Sequence, residues 1–549
     1  MKPLRLHVPL LAIALACAAG AAPAATLDLD TATIADVQAA YKAGLSAEAL
    51  TQAYLARIAA YDKKGPAINA VITLNPKALA EAKALDAERR AGKLRGPLHG
   101  VPIVLKDNFD TYDLPTTAGS QLLHGSLPPD DAFVVKKLRA AGAVIVAKVN
   151  LSEFAGSGGS VSGAKDPAVI KAGRVPNGFS SEGGQTHNPH DLTRGPSGSS
   201  GGTGAAIAAA FAQFGLGTDT GGSVRGPSSA NGIAGLKPTR GLMSRDGIVP
   251  LALSYDTGGP MARSVYDVAV ALGAMTGVDA ADAATAPSAA HFKTDYTPYL
   301  KKGSLKGARI GIARDFMGRD AGTDAVMEKA IATLKSLGAV VVDPIQYPEY
   351  MLVSKQPNYN LLVASEFKAQ LTEYLHTLKP GFPRSFDEIV AKANDPATRY
   401  RSPEKAYALK YTAAQALDLS DPQYLALKNE EMVAIKAGID ALFSKHKLDA
   451  IVYPTSPTPA TPIVPDPDKP ADPRAASGSA TSFANQTGYP DLIVPAGMSA
   501  GGLPVTISFF GPAWSEPKLL GYGYDFEQAT HAIRLPKNTP ALAGDRIHY

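Results

Sequence analysis

Two glycine- and serine-rich segments enclose a short apolar run near the middle of this 549-residue chain. The first is Ser197-Gly198-Ser199-Ser200-Gly201-Gly202-Thr203-Gly204. The second is Gly217-Thr218-Asp219-Thr220-Gly221-Gly222-Ser223-Val224-Arg225-Gly226-Pro227. Between them, Gly204 to Phe214 is rich in Ala and carries Ile207 and Phe211, which predicts a buried helix after the Gly201-Gly202 turn. Glycine permits close backbone approach and dihedrals that other residues avoid. A chain with this arrangement has to pack a helix between two tight turns inside its core.

The surrounding pattern alternates strands with helices. Ser46 is placed to cap a helix running to about Asp62, with Leu50, Tyr54, Ile58 and Tyr61 on one face. Ile68 to Leu74 predicts a strand, Ala78 to Ala91 a helix ending at Gly92, and Val101 to Leu105 a buried strand running into Lys106. A helix over Asp131 to Ala141 leads to a strand over Ala143 to Lys148. A second strand-helix-strand unit spans Ala308 to Ala313, Thr323 to Leu337 and Ala339 to Asp343. The expected fold is α/β, a sheet core with helices on both faces. Tyr359 to Leu378 and Pro403 to Lys445 read as helical, forming a cap inserted at about 345–445 in a single domain over 25–549. Gly156 to His190 lacks periodicity and predicts a long surface loop. Gly 52 and Pro 43 exceed the usual share of about 12%. The excess is local, in the Gly/Ser segments and in the Pro-rich stretch Pro454 to Pro473, so it does not signal general disorder. Val505 to Phe510 is the last strand expected.

Residues 1–24 combine Lys2 and Arg5, an apolar stretch from Val8 to Ala19 and Ala22-Pro23-Ala24, the pattern of a secretory signal cleaved after Ala24. This implies a periplasmic or secreted protein. Lipidation at Cys17 is the weaker reading, because Ala14-Leu15-Ala16 matches a lipobox poorly. Cys17 is the only cysteine, so cleavage after Ala24 leaves no thiol for disulfides or catalysis. No later segment has the ~18 uninterrupted apolar residues of a membrane span. Net charge is +4, falling to +2 without Lys2 and Arg5, which gives no electrostatic basis for nucleic-acid binding. The ten histidines show no metal-ligating spacing, so no metal and no cofactor are expected.

The segments carry the parts of a nucleophilic hydrolase. A serine hydroxyl needs a base, and lysine serves only when neutral. Burial of Lys106 at a strand end beside Val104 and Leu105 favours that form. Asp107 is expected to point to the other face, since strand residues alternate. Thr220-Gly221-Gly222-Ser223 offers consecutive backbone N–H groups suited to a tetrahedral oxyanion. Ser200 is expected to support the site by hydrogen bonding, Asp219 to fix the loop, and Arg225 to pair with Asp256. Each feature alone has an ordinary reading: a Gly/Ser stretch as linker, a strand-end lysine as solvated charge.

In the order Lys…Ser…Ser these residues resemble the amidase signature family of Ser-Ser-Lys hydrolases. The likeness runs from about Thr33 to Thr530. It includes Gly235-Leu236-Lys237-Pro238-Thr239, Asp256-Thr257-Gly258-Gly259-Pro260-Met261-Ala262-Arg263 and Gly488-Tyr489-Pro490. The resemblance implies Ser223 as nucleophile, Ser199 as relay held by a cis peptide, Lys106 as base, and Thr220, Gly221, Gly222 and Ser223 as oxyanion hole. The separation of Ser199 and Ser223 fits it. Ser197 departs from the pattern, which usually has Gly there. Ser244-Arg245-Asp246-Gly247 and Trp514-Ser515-Glu516-Pro517-Lys518 resemble the bacterial peptide-amidase branch, which removes C-terminal amides from peptides.

Two other motifs are chance matches. Gly198-Ser199-Ser200-Gly201-Gly202 fits G-x-S-x-G but lacks the preceding strand, and Ser162-Gly163-Ala164-Lys165 fits S-x-x-K without its companion motifs. The expected activity is hydrolysis of a small-molecule or peptide amide, either a C-terminal peptide amide, an aryl acylamide or an aliphatic amide. Two further functions stay open at this level: one component of an amidotransferase acting on aminoacyl-tRNA, and a noncatalytic binding protein on the same scaffold.

Overall fold

A computed structural model describes residues 26–156, 164, 166–464 and 480–549. The expected signal sequence, Ser162 and Lys165 of the S-x-x-K match, and residues 465–473 of the Pro-rich stretch lie outside these residues.

Eleven strands among the described residues build one mixed sheet. They are β1 (Val71–Leu74), β2 (Pro102–Lys106), β3 (Val144–Val149), β4 (Phe214–Asp219), β5 (Ala234–Lys237), β6 (Thr257–Ala262), β7 (Arg309–Ala313), β8 (Val340–Ile345), β9 (Ala450–Pro454), β10 (Asp491–Met498) and β11 (Pro504–Phe510). Their spatial order is β8-β7-β9-β11-β10-β5-β6-β4-β2-β3-β1. Connection length sets the pairing sense. β2 and β3 run parallel through the crossover helix Phe133–Ala140, and β7 and β8 through Ala321–Ser336. The short link between β10 and β11 makes an antiparallel pair. β2 also pairs in parallel with β4, matching Ile103 with Phe214 and Leu105 with Leu216. This register brings the end of β2 beside the second Gly/Ser segment.

The predicted helix over 204–214 is corrected. The helix is Gly201–Ala208, and Phe214 already belongs to β4. It starts within the glycines because it lies on the chain leaving β3: a Cβ on Gly202 would sit 2.2 Å from the Asn150 carbonyl oxygen. The described part of the segment 156–190 also holds more regular structure than expected. It holds the helix Pro167–Ala172, capped by Asp166, and the ladder Phe179–Ser180 with Gly184–Gln185. β11 is not the last strand, since Arg546–His548 pairs with Thr26–Asp28.

Helices Glu349–Thr377, Phe386–Asn394, Pro403–Gln415, Pro422–Ala426 and Met432–His446 follow β8. Leu362, Phe367, Leu371, Phe386 and Leu409 pack with Phe154, Leu251 and Tyr255 in a second apolar cluster, separate from the main sheet core. Polar contacts lock this helical cap down: Tyr374 Oη donates to Asp110 (2.8 Å), Lys405 Nζ to the Glu153 carbonyl (2.9 Å) and Ser254 N–H to Glu366 (2.9 Å), while Tyr424 Oη reaches Glu366 within the cap (2.8 Å). Among the described residues no helix is long and apolar enough to cross a membrane.

Candidate active site

Lys106 ends β2, a strand buried on both faces, and its side chain is fully buried. Nζ lies 2.8 Å from Ser199 Oγ and 2.7 Å from Thr218 Oγ1. Desolvation lowers its pKa to about 7 against the opposing pull of the Asp219 and Asp256 carboxylates. Near neutral pH a large fraction is therefore amine, with a lone pair free to accept from a hydroxyl. Asp107 points away as alternation requires, accepting from Thr117 N–H and pairing with Lys148 at 3.2 Å.

The two Gly/Ser segments meet at this point. The Gly198-Ser199 peptide is cis, and Ser200 N–H donates to the Ser223 carbonyl at 3.2 Å. Ser200 Oγ is turned inward, donating to the Thr218 carbonyl (3.2 Å) and accepting from Thr218 N–H (3.3 Å). Ser199 and Ser223 instead line one cavity of about 390 Å³ between the Gly/Ser segments and the cap. Among the described residues Ser199 Oγ and Ser223 Oγ make no direct hydrogen bond to each other. Ser197 adopts φ 61°, the left-handed region where glycine is at no disadvantage, which explains why glycine suits this position.

The loop 220–223, the expected oxyanion hole, is held from behind. Asp219 accepts from Val224 N–H at 2.9 Å and from Gly222 N–H at 2.9 Å. The Gly222 donor is thereby engaged, a correction to the expected set of four. Among the described residues the N–H groups of Thr220, Gly221 and Ser223 donate to no acceptor. Arg225 does not pair with Asp256. It forms a buried fork with Asp219 (2.9 Å) and Asp491 (2.8 Å) and also donates to Asn485 Oδ1 and the Thr481 carbonyl. Burial pushes the Asp219 carboxyl up, but the Arg225 guanidinium more than offsets this and holds it well below the usual range. Asp256 serves the loop differently, accepting from Thr220 Oγ1 (2.5 Å) and from the N–H groups of Leu251 and Ala252.

The cavity lining includes Asn177, Leu251, Tyr359 and Tyr411, and none of the described lining residues is charged. A buried charge without a partner is costly, so this space suits uncharged groups that combine apolar surface with hydrogen-bonding capacity.

The family model for Amidase matches residues 49–520. The chain belongs to the amidase family. It is 34% identical over 520 residues to a probable amidase of Arabidopsis thaliana, covering 93% of this chain and 92% of the relative. It is 37% identical over 512 residues to a glutamyl-tRNA(Gln) amidotransferase subunit of Chloroflexus aurantiacus, covering 91% and 96%. Among solved structures, the native peptide amidase of Stenotrophomonas maltophilia superposes with a TM-score of 0.83 at 42% identity, covering 92% of this chain and 98% of that one.

In this amidase several site residues escape a reading of the sequence. Thr218 accepts from both Lys106 Nζ and Asn108 Nδ2 (3.0 Å), so it orients the lysine. The signal was one hydroxyl at the end of a Gly-rich strand. Asp491 and Asn485 hold Arg225 from more than 250 residues away, and Tyr359 comes from the cap. No local pattern marks them.

Proposed function

We propose that this amidase cleaves uncharged carboxamides, with C-terminal peptide amides as its substrate class, through an acyl-enzyme on Ser223. The observation that carries the reading is the buried, partly neutral Lys106 within 2.8 Å of Ser199 Oγ, beside a cavity that Ser199 shares with Ser223 and whose described lining carries no charged residue.

In this mechanism the Lys106 lone pair accepts the Ser199 proton as Ser199 takes that of Ser223. Closure of the Ser199–Ser223 gap accompanies substrate binding, since catalytic hydrogen bonds often tighten only in the complex. Ser223 Oγ attacks the amide carbon, and the N–H groups of Thr220, Gly221 and Ser223 stabilise the oxyanion. The carbon–nitrogen bond breaks as Ser199 returns a proton to the departing amine. Water then hydrolyses the ester along the same path. The absence of charged residues from the described lining of the cavity and the likeness to a peptide amidase support the peptide-amide class. The N-terminal signal pattern supports action outside the cytoplasm.

The test is intact-protein mass after treatment with a serine-reactive fluorophosphonate, beside Ser223→Ala, with ammonia release from N-acyl-peptide amides measured in parallel. One adduct on the native protein, none on the variant, and ammonia release from the native protein alone are expected. Persistent labelling of Ser223→Ala would move the nucleophile elsewhere. Labelling without ammonia release from any peptide amide would reject the substrate class.

A further inference from the structure

The cap delivers one polar side chain to the oxyanion loop itself. A methyl group built on Gly221 would lie 2.5 Å from Tyr359 Oη and 2.7 Å from its Cζ, so the phenol rests directly on the Gly221 backbone. The Tyr359 ring stacks on Tyr255 with centroids 5.4 Å apart and planes 9° from parallel. Tyr255 adjoins Asp256, which holds Thr220 of the same loop. The ring is thus fixed between two parts of the site. Tyr359 also lines the cavity with Ser199 and Ser223. Its hydroxyl has no hydrogen-bond partner among the described residues, and with the side chain half-buried at the cavity wall it is open to a partner bound there. Burial, with the Asp256 and Asp219 carboxylates nearby, holds the phenol well above its ordinary range, so it retains its proton.

We propose that Tyr359 Oη donates a hydrogen bond to the oxyanion formed when Ser223 attacks, adding a side-chain donor to the backbone N–H groups of the loop. This rests on the acyl-enzyme reading above. The phenol keeps its proton throughout, and no bond to it is made or broken. A hydroxyl bonds more strongly to an anionic oxygen than to a neutral carbonyl. Its contribution therefore appears in the transition state more than in substrate binding.

Tyr359→Phe removes the hydroxyl and keeps the ring, its stack on Tyr255 and its contact with Gly221. With active sites counted by fluorophosphonate titration, kcat on an N-acyl-peptide amide is expected to fall about 10- to 100-fold, with KM changed less than about twofold. A peptidyl trifluoromethyl ketone, which adds the serine to form an anionic hemiketal, is expected to bind more weakly by the same factor. The pH dependence and the thermal midpoint are expected to stay as in the native protein. Native-like kcat and ketone affinity in the variant would overturn the proposal, as would a rise in KM alone. In either case an active native protein would leave the acyl-enzyme reading standing. A native protein that takes neither fluorophosphonate nor ketone would overturn both.

Discussion

Lys106→Met should make the protein more stable and nearly inactive, and the two effects have one cause. Lys106 is fully buried with its pKa lowered from 10.5 to about 7. In the unfolded chain it titrates normally. Between pH 7 and 10.5 the unfolded chain binds a proton that the folded one lacks, so stability rises with pH across that window. Below pH 7 both states are protonated, and the folded protein bears the full burden of a buried ammonium. The difference in pKa corresponds to on the order of 5 kcal/mol at pH 7. Met is similar in length and carries no charge. It forgoes the contacts with Ser199 and Thr218, worth about 1 kcal/mol each. A net gain of about 3 kcal/mol is expected at about pH 6, shrinking as pH rises towards about 10. Loss of the base should cost about 10²- to 10⁴-fold in kcat/KM. The native profile should fall about tenfold per pH unit below an apparent pKa near 7, and the variant should lack that limb. Thermal melts at about pH 6 and 9 with kcat/KM from about pH 5 to 9 make the test. A variant destabilised equally at both pH values, or one retaining over about a tenth of the activity, would refute the argument that Lys106 is a buried amine acting as base.

Two further substitutions probe the support of the site. Arg225→Met leaves Asp219 and Asp491 buried without their shared cation, and a loss of about 3–5 kcal/mol is expected from denaturant melts; an unchanged midpoint would show the fork to be dispensable. Ser200→Ala removes the acceptor of Thr218 N–H and should cost about 1–3 kcal/mol. It should still label at Ser223 with fluorophosphonate, and mass spectrometry showing no adduct would make Ser200 itself the nucleophile.

Elements with a strong local signal were legible. Ser46 caps Ala47–Tyr61 through Ala49 N–H, as its position before an amphipathic run predicts. The strands into Lys106 and out of Ala143 lie within a residue or two of expectation. β6, with the sequence Thr-Gly-Gly-Pro-Met-Ala, escaped because it contains almost none of the β-branched or aromatic residues that mark a strand. It is a strand because β4 and β5 flank it and supply its hydrogen bonds. β10 was hidden by Pro495 and Gly497, where the register shifts against β11. The helix boundary at Gly201 was missed because glycine is a poor helix former, and only the tertiary contacts of Gly201 with Pro196 and of Gly202 with Asn150 show why these positions cannot carry a side chain.

By itself the sequence determined the inventory: a lysine at the end of an apolar strand, serines among glycines, and a run of small residues able to pass between them. Residue type and local spacing decide these, because backbone freedom, helix periodicity and strand alternation act over a few residues. The tertiary structure decided which groups meet. The pairing of β2 with β4 places Lys106 on Thr218, and burial at that junction, absent from any isolated peptide, depresses its pKa. Asp219, not Asp256, receives Arg225, and it also engages the Gly222 N–H that the sequence had assigned to the oxyanion. The cap brings Tyr359 onto Gly221 across 138 residues of chain. Hydrogen bonds and desolvation depend on distance in space, and separation along the chain carries no trace of it.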